Sequence, residues 1–87
     1  MKEAYRAELK RILCNWMGIT RMSLSYSQEM MAEGLLMDVR SYSDIDRGIS
    51  LCSTLTLVLF LVYYCQEPEA LLGEIKAAFE DVRAGII

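Results

Sequence analysis

The 87-residue chain is 54% hydrophobic and 24% charged, with a net charge of −3, which excludes a disordered tail and fits one small domain over residues 1–87. It has no histidine, and Cys14, Cys52 and Cys65 lack CxxC spacing, so neither a zinc centre, a disulfide framework nor histidine-based acid–base chemistry is expected. The one long apolar run, Leu55 to Cys65, is shorter than the ~20 residues that span a bilayer. The start, MKEAYRAELKR, has no signal-peptide core, and the reading is a cytoplasmic chain without a membrane partner.

In chain order, Tyr5, Leu9, Ile12, Leu13, Trp16 and Ile19 recur at intervals of three and four, the stripe of an amphipathic helix over about residues 2–21. Ser23, Ser25 and Ser27 then mark a polar linker. Ser27, or Ser25 with Gln28 three residues on, can cap a second helix over 27–35 that turns Met31, Ala32 and Leu35 inward. Asp38 is a good cap for a third helix over 39–47, held to the core by Tyr42 and Ile45 and stopped by Gly48. A fourth helix, 54–65, is apolar nearly all round and belongs either at the centre of the core or in a contact with another subunit. Pro68 suits the first position of a fifth, 68–82, where Leu71, Leu72, Ile75, Phe79 and Val82 repeat at helical spacing. The expected architecture is all-α, with five helices. Met30 is read as an exposed side chain and the other methionines as core filler.

Charge is unevenly spread. Residues 1–26 hold five basic side chains against two acidic ones, whereas 27–48 and 49–87 each hold two against five. Lys2, Arg6, Lys10 and Arg11 fit a solvated face of the first helix.

The stretch SQEMMAEGLLMDVRSYSDIDRG, residues 27–48, resembles the phage-repressor-like (lambda repressor/Cro, or XRE) helix-turn-helix family. The matches are Ser27, Gln28, Glu29, Ala32, Glu33, Leu35, Val39, Arg40, Ser41, Ile45, Arg47 and Gly48, with Asp46 in place of a glutamate, and the likeness extends over about residues 19–75. The resemblance implies a five-helix lambda-repressor-like domain, of bacterial or phage origin, whose helix-turn-helix is formed by helices 2 and 3. Its implied function is sequence-specific binding of double-stranded DNA in transcription regulation. The third helix would enter the major groove, with Val39, Arg40, Ser41, Ser43, Asp44 and Arg47 toward DNA. Gln28 would hold a phosphate, although a capping role accounts for it equally well. The resemblance also implies an ion pair between Arg21 and Asp46. The apolar fourth helix, the long fifth and the surplus of Tyr63 and Tyr64 suggest a homodimer through helices 4 and 5, consistent with the paired half-sites such proteins read.

Two departures stand out. Leu36 occupies the turn position that the family usually gives to glycine, and the loop ISLCS after Gly48 is uncharged where the family is usually basic. Asp38 has capping and Asp46 pairing to do, which leaves Asp44 as the one free acid facing DNA. The acidic surface and uncharged loop suit an alternative, a protein–protein interaction module, inhibitor or adaptor built on the same fold. Catalysis is the weakest reading, and no cofactor, metal or small-molecule ligand is evident from the sequence.

Overall fold

Short polar side chains set the starts of three helices. The computed structural model describes residues 2–87 and contains five helices, with no strand among the described residues: α1 (Lys2–Ser23), α2 (Gln28–Gly34), α3 (Val39–Asp46), α4 (Thr54–Tyr63) and α5 (Pro68–Arg83). Ser27, Asp38 and Ser53 each accept a bond from the backbone N–H three residues on, at Met30, Ser41 and Thr56. Each cap satisfies one of the donors that a helix start leaves without a partner. Of the two alternatives for α2, Ser27 is the cap; Ser25 sits in the preceding turn. α5 has no side-chain cap and starts on Pro68, whose missing N–H costs nothing there.

The ends follow one pattern. α1, α2, α3 and α5 each close with paired bonds back into the last turn: Tyr26 to Arg21 and Ser25 to Met22, Met37 to Ala32 and Leu36 to Glu33, Ile49 to Asp44 and Gly48 to Ile45, Ile86 to Asp81 and Gly85 to Val82. This is the Schellman arrangement, which needs one left-handed residue just past the helix. Gly48 (φ 76°) and Gly85 (φ 81°) meet that need without strain, but Ser25 (φ 58°) and Leu36 (φ 57°) adopt the same conformation with a Cβ present. The α2–α3 turn is thus made by a left-handed leucine.

The core draws on every helix. Ile12, Leu13 and Met17 of α1 meet Met31, Ala32 and Leu35 from α2 and its cap, Tyr42 and Ile45 of α3, Phe60 of α4, and Leu71 and Ala78 of α5. α5 runs back along α1: the Tyr5 and Phe79 rings meet edge to face at 4.9 Å, Arg83 Nε donates to Tyr5 Oη at 3.2 Å, and Trp16 Nε1 donates to Glu74 Oε2 at 3.3 Å. A Cβ on Gly34 would run into the hydroxyl and ring of Tyr64, so the absence of a side chain there is what lets Tyr64 cover the end of α2.

Three sequence expectations need correction. Ile19 lies on the stripe of α1 yet is 59% exposed, whereas Met17 is fully buried, because the helix outruns the elements that cover it. Met22 is exposed rather than core filler, and Leu72, on the apolar stripe of α5, is 65% exposed. Of the two places open to α4, the centre of the core does not fit: only Thr56 and Phe60 are buried, while Leu55, Val58, Val62 and Tyr63 are exposed. The helix bounds otherwise fall within one or two residues of those expected.

Leu36 carries a predictable cost. A left-handed conformation disfavours an L-residue by ~1–2 kcal/mol, and Leu36 is 74% exposed, so its side chain contributes little burial in return. Replacing it by glycine, after the entropy lost on ordering glycine, should stabilise the fold by about 0.5–1 kcal/mol and raise Tm by roughly 3–6 °C. Thermal unfolding followed by circular dichroism checks this, and an unchanged or lowered midpoint for Leu36→Gly would refute it.

Candidate nucleic-acid interface

The residues expected to face DNA are organised by α3. Tyr42 and Ile45, three apart, are buried and fix the orientation of the helix. The side away from the core then exposes Val39, Arg40 and Ser41 at the N-terminal turn, with Ser43 and Asp44 half-buried beside them. Arg40 makes no hydrogen bond or ion pair among the described residues, so its guanidinium is free to bind. Asp38 Oδ1 accepts from the Ser41 N–H at 2.8 Å. The Ser41 hydroxyl and N–H, helped by the charge of Arg40, hold the Asp38 carboxyl below its usual range.

Asp44 is not the free acid expected. Arg47 Nη2 lies 3.2 Å from its Oδ1, the two side chains being one helical turn apart. Both are solvent-accessible, and such a pair is worth little in stability, but it lowers the negative charge that α3 offers to a phosphate backbone. Arg47 in turn is paired with Asp44.

Beneath this face lies a polar cluster centred on Asp46. Its Oδ2 accepts from Arg21 Nη2 at 3.3 Å and from Gln28 Nε2 at 2.9 Å, and its Oδ1 from Tyr42 Oη at 3.2 Å. Its backbone carbonyl accepts from Cys14 Sγ at 3.0 Å, and Arg21 Nη1 donates to the Tyr26 carbonyl at 2.9 Å. One carboxylate therefore ties α1, the α1–α2 linker, α2 and α3 together. The expected Arg21–Asp46 pair forms. Gln28 points inward to Asp46, which differs from both roles open to it: it does not act in a capping box, and one of its amide hydrogens is already used. Burial, and then the nearby Asp46 charge, push the Tyr42 hydroxyl well above its ordinary range; the same two causes, in the same order, raise the Cys14 thiol.

The roles of Tyr42 and Cys14 were missed at the sequence level. Tyr42 and Asp46 are four apart on one helix, a spacing at which side chains meet, so that bond had a readable signal. Cys14 had none, because its partner is a backbone carbonyl 32 positions away. The loop after Gly48 adds no cation: Ile49 and Ser50 are exposed, and Leu51 and Cys52 half-buried. The three cysteines are free thiols, and no group of three or more histidine, cysteine or acidic side chains that could hold a metal ion occurs among the described residues. No helix among them is long and apolar enough to cross a membrane. Comparison of the chain with protein-family models, with curated proteins and with solved structures finds no match.

The cluster makes the fold sensitive to alkali, and the sign follows from Tyr42. A hydroxyl whose pKa is raised in the folded state stabilises the protein fully below the unfolded value of about 10, and that contribution is lost as pH rises above it. Tyr42→Phe should cost about 1 kcal/mol near pH 8 by removing the bond to Asp46, and the deficit against the parent should shrink above about pH 10. Urea unfolding of both proteins across this range measures it; a deficit that stays constant would exclude Tyr42 as the source.

Proposed function

We propose that the chain is a sequence-specific DNA-binding transcriptional regulator that inserts α3 into the major groove and acts as a homodimer. The observation that carries the reading is the N-terminal turn of α3, where Val39, Arg40 and Ser41 are exposed while Tyr42 and Ile45 anchor the opposite side. An α-helix fits the major groove with its first residues at the base edges. Arg40 suits a guanine, whose O6 and N7 accept both arms of a guanidinium, and Val39 offers apolar contact to a thymine methyl. Ser41 and Ser43 are short polar side chains that tolerate either base or phosphate. Gln28 serves the Asp46 cluster rather than a phosphate, and Arg47 must exchange Asp44 for one.

Phosphate contacts are few, because the ISLCS loop carries no charge. Since each neutralised phosphate steepens the salt dependence, binding should be modest in strength and shallow in its salt slope. The dimer reading rests on α4, which has no charged residue and exposes Leu55, Val58 and Val62 at positions i, i+3 and i+7. A second copy of the same stripe is a partner of matching chemistry. The runner-up, a protein–protein interaction module, draws support from Met30, Leu36 and Val39, large apolar side chains exposed on or beside α2 and α3.

A salt-titrated gel shift on DNA upstream of the chain's own gene tests the first reading. Arg40→Ala should weaken specific binding by ~1–3 kcal/mol, or roughly 5- to 150-fold, and relax the preference at one base pair. No complex at low salt from a folded protein would favour the interaction module instead. Light scattering at high micromolar concentration should give a dimer mass, reduced to the monomer by Val58→Glu; a monomer for the parent protein would reject the α4 contact.

A further inference from the structure

The exposed Ile19 marks a cleft of about 350 Å³ between the second half of α1, the turn after it, the end of α4 and the start of α5. Its walls combine two kinds of surface. Trp16, Ile19, Leu24 and Tyr64 give apolar and aromatic area, with Trp16 and Tyr64 only half-buried and Ile19 and Leu24 open to solvent. Glu67 and Glu74 supply negative charge, and no lysine or arginine lines the cleft. The Glu74 carboxylate is not loose: it accepts from Trp16 Nε1 at 3.3 Å, which holds it against the indole. Arg11, further back on α1, is paired with Glu8 at 3.0 Å and lies outside the lining, although its charge also reaches Glu74.

We propose that this cleft binds a small organic cation, an amine whose ammonium group is met by Glu67 and Glu74 and whose apolar or aromatic body lies on Trp16, Ile19 and Tyr64. The volume falls at the lower end of the range of about 300–1,000 Å³ typical of small-molecule sites. An aromatic floor with carboxylates at one side suits a cation over an anion of the same shape, through charge pairing and attraction to the indole face. None of the lining residues belongs to α2 or α3, so an amine in the cleft leaves the face with Arg40 uncovered. The proposal therefore stands apart from the DNA reading, and each can fail without the other.

Trp16 is the sole tryptophan of the chain, and its fluorescence reports directly on occupancy. Phenethylamine, phenethyl alcohol and phenylacetate share one ring and differ in charge. Titration should give a saturable change with phenethylamine, at least about fivefold tighter than with the alcohol, and weakest with the acid. Glu67→Gln and Glu74→Gln should each erode the amine's advantage while leaving the alcohol's affinity unchanged, which also shows that the variants remain folded. Equal affinity for all three probes, or no saturable change with the amine up to about 10 mM, would overturn the proposal, as would carboxamide variants that bind the amine as the parent does.

Discussion

The arrangement of the first three helices depends on how one carboxylate is satisfied. Asp46 sits at the C-terminal end of α3, where a helix already concentrates partial negative charge, and it is largely removed from water. Such a group is costly unless it is fully paired. Three donors meet it: a guanidinium from α1, an amide from α2 and a phenol from its own helix. Arg21 has the reciprocal need, since its Nε is buried with no hydrogen-bond partner among the described residues, and Asp46 supplies its compensating charge. These bonds are directional, so they do what apolar contact alone cannot: they fix the angle and register at which α3 crosses α1 and α2. The exposure of Val39, Arg40 and Ser41 follows from that constraint.

Much of this was legible in the sequence because it is local. Apolar spacing located all five helices, and the caps at Ser27 and Asp38 sit where short oxygen-bearing side chains precede each apolar run. The Arg21–Asp46 pair was reachable through resemblance to a family pattern rather than through spacing, since 25 positions separate the partners. What stayed illegible depends on three-dimensional neighbours. Periodicity puts Ile19 on the same line as Ile12, but whether another element covers that line is a matter of where α4 ends and α5 begins. The same holds for α4, whose composition shows that it is apolar but not which side finds a partner. Asp44 was misjudged for a different reason: Arg47, three residues on, was assigned outward to DNA, when the nearer opposite charge on its own helix was available.

Leu36 shows how the elements trade against one another. The bonds from Leu36 to Glu33 and Met37 to Ala32 require a left-handed residue between α2 and α3, and the sequence supplies a leucine. The conformation persists because both flanking helices are held independently, α2 by Met31, Ala32 and the Gln28–Asp46 bond, α3 by Tyr42 and Ile45. Strain of this size survives only where the surroundings over-determine it. The turn is therefore a consequence of the packing on either side rather than its cause.

The distribution of acid on α3 bears on function through the same reasoning. An acidic helix is a poor partner for a polyanion when its carboxylates point outward without counter-charge. Here each aspartate answers to a protein group: Asp38 to the Ser41 N–H, Asp44 to Arg47, Asp46 to Arg21, Gln28 and Tyr42. The Asp44–Arg47 bond joins two solvent-accessible side chains, and under the proposed DNA reading a phosphate that drew Arg47 away would release Asp44 beside the exposed face of α3. That exchange makes the electrostatic balance of α3 depend on what it meets. A carboxylate freed in this way can accept from a cytosine amino group at a matching site, whereas elsewhere on DNA it faces only acceptors and repels them. Under the proposed DNA reading, Asp44 would add little to general affinity and more to discrimination between sites.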